Sequence, residues 1–129
     1  MNFKLPKSER LHSQKLIKEL FDKGSSFFLY PFKVIVLDIP RDEKGTYQVL
    51  FSVSKKKIKK AVDRNLVKRR MKEAYRLNKS EILTAKHSNR LIGLIYVSSE
   101  IGTFQFIEQK IRKILARIAE SPESSKNIT

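Results

Sequence analysis

The sequence predicts an α+β fold: a small mixed sheet packed with three helices in a two-layer sandwich, in the order α-β-β(-β)-α-β-α. Three observations carry this expectation. Three segments keep a helical spacing of apolar residues, other segments are rich in β-branched and aromatic residues, and the strand-like segments lie between the helical ones. With 129 residues the chain can build one domain around one core, expected over residues 1–120. The tail SPESSKNIT, 121–129, has the composition of disorder.

The first helix is expected over 8–23, SERLHSQKLIKELFDK. Leu11, Ile17, Leu20 and Phe21 form its apolar stripe, Ser8 can cap its start, and Gly24 suits the position after its end. FFLYPFKVIVLD, 27–38, reads as a strand, with Pro31 confining its early part to an edge, a bulge or a non-strand. After a turn at 39–45, TYQVLFSVS alternates, placing Tyr47, Val49, Phe51 and Val53 on one face. Together these two segments predict an antiparallel hairpin. A second helix is expected from Ala61 to about Leu77. RLIGLIYVS, 90–98, is a continuous apolar run and so a strand buried on both faces. A third helix, 104–119, turns Ile107, Ile111, Ile114, Leu115 and Ile118 to the core.

The formal net charge of +15 calls for a polyanionic partner, because self-repulsion of this size is costly without one. The absence of Cys excludes disulfides and thiol chemistry, and His12 and His87 have no ligand-like spacing. MNFKLPKSER lacks the apolar stretch of a secretory signal, and LIGLIYV is too short to span a bilayer. The expected compartment is the cytoplasm, with no membrane partner.

The charge is concentrated. Lys55 to Lys79 holds twelve Lys or Arg against Asp63 and Glu73, which is +10 of the +15. A charge run is commonly a disordered tail or a solvated helix face. Apolar Val62, Leu66, Val67, Met71, Ala74 and Tyr75 are threaded through this one, so it is no tail. On a helical wheel Arg64, Asn65, Lys68, Arg69, Lys72 and Arg76 share an arc of roughly 140°, with Val67, Met71 and Ala74 on another. Arg70 lies apart from both. A solvated helix would interleave Glu at i, i+4, and only Glu73 is present. Phosphate binding is the better reading. A leucine-zipper basic region lacks its heptads, and a helix-turn-helix would be mostly helical, which leaves an α/β RNA-binding protein.

SVSKKKIKKAVDRNLVKRRMKEAYR resembles the sequence pattern of the protein subunit of bacterial ribonuclease P. The matching residues are Ser52 to Lys56, Ala61, Val62, Arg64, Asn65, Val67, Lys68 and Arg69. The flanks agree, so the resemblance spans nearly residues 5–119. Leu66 stands where that pattern has a second Arg, and the loop KIKK lacks its usual Gly.

The resemblance implies a ribonucleoprotein endonuclease that removes the 5′ leader of precursor tRNA, with Mg²⁺ and the RNA subunit performing the hydrolysis. No catalytic residue is assigned to the chain, which lacks paired carboxylates and clustered His. One protein per RNA is expected. By resemblance Arg64, Asn65, Lys68 and Arg69 face the RNA subunit, and Lys72 extends the stripe. Lys55, Lys56, Lys57, Arg70 and Arg76 complete the expected RNA-binding set. The cleft for the single-stranded leader would be walled by Ile17, Phe21 and Ile35, with Lys33 meeting phosphate. Plain core is the alternative for the three apolar residues. Two other classes remain open on the residues alone: a ribosomal-type structural RNA binder, and a membrane-surface protein, which would need a broad exposed apolar face.

Overall fold

Pro31 divides the segment expected as one strand. Its imide nitrogen has no proton to give a ladder, and at a turn that loss breaks no bond. β1 (Ser25–Leu29) and β2 (Phe32–Ile39) therefore form a hairpin of their own across Tyr30–Pro31, whose peptide bond is cis. The computed structural model describes residues 10–39, 47–82 and 89–120. Its other elements are α1 (Gln14–Lys23), β3 (Tyr47–Val53), α2 (Ala61–Ile82), β4 (Asn89–Tyr96) and α3 (Phe104–Glu120). The expected cap Ser8, the turn at 40–45 and the tail at 121–129 lie outside the described residues.

The hairpin expected between 27–38 and 46–54 does not form. The four-stranded sheet runs β1-β2-β4-β3, so β4 separates β2 from β3. β4 is antiparallel to β2, from Phe32↔Tyr96 to Ile39↔Asn89, and parallel to β3, from Tyr47↔Arg90 to Val53↔Tyr96. A strand that is apolar on both faces gains most at the centre, where both its edges are paired and both its faces covered. The parallel pairing needs a long crossover, and the 22-residue α2 supplies it.

Alternation sorts the two faces. Val34, Val49, Phe51, Ile92 and Leu94 pack beneath α2 and α3, against Val67, Met71, Ala74, Tyr75 and the five predicted apolar residues of α3. Ile35 and Leu91 point to the other face and pack with Leu11 and Leu20. The three helices are thus divided between the faces, with α1 alone on the second. Gly93 leaves room for the close approach of α1: a Cβ there would lie 3.3 Å from Leu20 Cδ2.

Local capping differs from expectation at both ends of α1. Its N-cap is Ser13, whose hydroxyl accepts from the Leu16 N–H at 3.3 Å. Gly24 sits at an ordinary φ of −73°, so left-handed backbone is not its role. A Cβ at Gly24 would lie 2.5 Å from the Leu20 carbonyl oxygen and 2.6 Å from Ile35 Cγ2, so glycine serves there by leaving room.

α2 outruns its expected end at Leu77 because a polar clamp holds its last turns to α3. The buried Asn78 donates through Nδ2 to the Ala74 carbonyl at 2.7 Å and to Glu108 Oε2 at 3.0 Å. Arg112 in turn donates to Asn78 Oδ1. A second buried polar group was invisible in the sequence. Arg90 Nε lies 2.6 Å from Asp38 Oδ1, and Arg90 Nη1 donates to the Ile118 carbonyl at 2.8 Å.

Candidate nucleic-acid interface

The cationic surface begins in the turn after β3. The Ser54 carbonyl accepts from the Ile58 N–H at 3.1 Å, and Ile58 is buried. With its one apolar residue anchored inward, the turn leaves Lys55, Lys56, Lys57, Lys59 and Lys60 exposed. Arg64 folds back on this turn, Nη1 donating to the Ile58 and Lys59 carbonyls at 3.0 and 2.8 Å. Part of the Arg64 guanidinium therefore shapes the lysine-rich turn.

Along α2 the buried positions are Val67, Met71, Ala74, Tyr75 and Asn78, which places the packed arc where the wheel has it. Asn65 and Arg69 are exposed, and Lys68 and Lys72 are half-buried on the outer side. Burial of the neighbouring arc fixes the rotation of the helix, so the cations stand in a row on a rigid support. The other two expected cations are partly committed within the protein. Arg70 Nη1 donates to the Gly102 carbonyl at 2.5 Å, bracing α2 against the start of α3. Arg76 forms a two-point pair with Glu73, at 3.2 and 2.5 Å, and this hydrogen bonding raises its pKa further.

Leu66, which stands where the family pattern has Arg, is half-buried in a groove of about 410 Å³. It shares this groove with Arg69, Arg70, Lys72, Glu73, Arg76 and Phe104, while Val62, one turn before it, is 72% exposed.

The expected cleft on the α1 side is only partly built from the residues named for it. Phe21 is 50% exposed and Lys33 is exposed. Ile17 is half-buried against the cluster beneath α1. Ile35 is a correction: it is 4% exposed, closed over by α1, and belongs to the core rather than to a cleft wall. A residue not anticipated takes a place on this face. Phe28, 58% exposed, pairs directly opposite Lys33 in the β1–β2 ladder and so shares its side of the sheet. The sequence could have indicated Phe28 only if the hairpin register had been known.

Among the described residues no group of three or more acids or histidines is placed to hold a metal ion, and no helix is long and apolar enough to cross a membrane. The family model for Ribonuclease P matches residues 5–119. The chain belongs to the ribonuclease P protein family.

It is 39% identical over 127 residues to the ribonuclease P protein component of Porphyromonas gingivalis, covering 95% of this chain and 92% of that one. To the component from Clostridioides difficile it is 35% identical over 100 residues, covering 78% and 82%. The fold agrees as well. The RNase P protein of Thermotoga maritima superposes with a TM-score of 0.67 at 25% identity, over 84% of this chain and 96% of that one. A mutant of the Staphylococcus aureus RNase P protein gives 0.70 at 25%, over 88% and 90%. As a ribonuclease P protein the chain is the protein subunit of a ribonucleoprotein endoribonuclease of tRNA processing.

Proposed function

We propose that the chain binds the catalytic RNA of ribonuclease P through the outer side of α2 and the lysine-rich turn before it. It also receives the 5′ leader of precursor tRNA on the α1 side of the sheet. The observation that carries the reading is the rigid cationic row. Asn65, Lys68, Arg69 and Lys72 project from a helix whose other side is locked by Val67, Met71 and Ala74. Guanidinium groups give two-point phosphate contacts, lysines add point charges, and Asn65 can bond to a phosphate or sugar oxygen. Arg64 contributes by holding the turn that presents Lys55, Lys56 and Lys57.

On the other surface Phe21 and Phe28 offer ring faces to unpaired bases, and Lys33 beside Phe28 meets the backbone. Ile35 supports this surface from beneath. The hydrolysis and its Mg²⁺ belong to the RNA subunit, and the protein acts in the cytoplasm as one copy per RNA. Its contribution is to neutralise phosphate, so that RNA and precursor approach at a lower Mg²⁺ concentration than RNA alone requires.

The test is reconstituted cleavage of precursor tRNA by the RNA subunit at low Mg²⁺, with and without the protein. Addition should raise the rate and lower the Mg²⁺ requirement. An unchanged rate, with binding to the RNA subunit intact, would reduce the protein to a structural RNA binder.

A further inference from the structure

We propose that the groove between the outer side of α2 and the first turn of α3 takes a single unpaired nucleobase, held against Leu66 and Phe104 with its flanking phosphates on Arg69 and Lys72. The proposal rests on the reading that α2 faces RNA, and it adds a site that contacts to phosphate alone do not need.

The floor of the groove is apolar. Leu66 stands where the family pattern has Arg, so an aliphatic side chain replaces a guanidinium at this position. Phe104 is half-buried and packs against the main core, which holds its ring in place. The walls are fixed as well. Arg70 is tied to the Gly102 carbonyl at 2.5 Å, and Arg76 is tied to Glu73 by two hydrogen bonds. The second tie offsets Glu73, the one acid among the described residues lining the groove, so Arg69, Arg70, Lys72 and Arg76 outweigh it.

An apolar floor ringed by cations matches one ligand chemistry well. A phosphate by itself gains nothing from Leu66 and Phe104, and an apolar peptide gains nothing from four cations. A nucleotide uses both: its base stacks on apolar and guanidinium surfaces while its phosphates meet the charges. In a duplex the base faces are already stacked, so the base must come from a bulge, a loop or a strand end. The groove is open to solvent along α2 and has room for one base and its ribose.

The probes are two RNA hairpins, one fully paired and one with a single bulged 2-aminopurine, titrated with the full chain at fixed salt. The bulged hairpin should bind about tenfold tighter, the size of one stacked base, with a change in 2-aminopurine emission. Leu66→Ser should bring the two affinities within about twofold of each other, leaving the salt slope on the paired hairpin unchanged. Phe104→Ala should do the same, and because Phe104 also packs on the core, its melting curve is recorded alongside.

Equal binding of both hairpins by the unaltered protein overturns the base pocket while leaving the phosphate row standing. If Lys68→Ala and Arg69→Ala change neither affinity nor salt slope, it is the α2 reading that fails. Reconstitution identifies the source of the base. Leu66→Ser weakens binding of the RNA subunit if that RNA supplies it. If the precursor supplies it, the same change raises the precursor Kd with RNA-subunit affinity intact. No change in either arm overturns the proposal.

Discussion

Replacing Arg90 with methionine should expose how much of this fold hangs on one buried ion pair. The Asp38 and Arg90 side chains are 7% and 4% exposed, and Arg90 Nε stands 2.6 Å from Asp38 Oδ1. The same guanidinium donates at 2.8 Å to the Ile118 carbonyl in the last turn of α3. One side chain therefore ties β2 and β4 to α3. Methionine keeps much of the volume but removes every donor. Breaking a buried pair by removing one partner costs about 3–5 kcal/mol, because the remaining charge is left without compensation. The abandoned Ile118 carbonyl adds about 1–3 kcal/mol unless water reaches it. Water entry lowers the total, so the expected loss is about 4 kcal/mol. In a domain of this size that is a fall in Tm of roughly 12–20 °C. Urea denaturation should give the same loss as a shift of midpoint at constant slope. The double variant Arg90→Met with Asp38→Leu should recover most of it, since an apolar pair of similar volume leaves no charge behind. Binding of RNA well below the melting point should be unchanged, because the pair lies at the end of the sheet away from the turn after Val53. A single variant within about 1 kcal/mol of the parent, or a double variant no better than the single, would refute the reasoning.

Lys68→Ala should weaken binding to the RNA subunit and flatten the log–log salt slope by about 0.7–0.9, with an unaltered melting curve. A matching loss of stability would assign Lys68 a structural role. Met71→Asp should unfold or aggregate the protein, since Met71 is fully buried between α2 and the sheet, and circular dichroism would report it. Phe21→Ala and Phe28→Ala should each raise the Kd of a precursor with a leader by about fivefold to a hundredfold, sparing a leaderless one, as the loss of one stacked base implies. Equal effects on the two substrates would remove these rings from the leader path. Burial raises the Tyr96 pKa above its ordinary value of 10.0. In the window between the two values the folded state keeps a proton that the unfolded state has lost, so stability should fall as pH rises through it. Tyr96→Phe should remove that part of the alkaline slope, as pH-dependent melting would show.

The sequence by itself determined the number and order of the helices, their packed sides and the charge, because these are local properties. Val67, Met71 and Ala74 at helical spacing place the packed side of α2, and the cationic row follows from the same rotation. The five apolar residues of α3 and the doubly buried β4 were legible for the same reason. The residue pattern from Ser52 to Arg69 by itself carries the likeness to the family.

Pairing and docking were decided by the tertiary structure. Whether β3 joins β2 or β4 depends on which partner completes the sheet, and alternation within β3 is the same in either case. Ile17 and Ile35 read alike as apolar, yet docking of α1 through Leu20 over Gly93 leaves the first half-buried and buries the second. Phe28 joins Lys33 only through the hairpin register. Arg90 opens an apolar run, and its partners, the Asp38 carboxylate and the Ile118 carbonyl, are brought to it only by the folded chain. Leu66 and Phe104 are distant in sequence and meet because α3 packs along α2. Periodicity and charge are set by neighbours along the chain, whereas register, closure and buried ion pairs depend on residues that only the folded chain brings together.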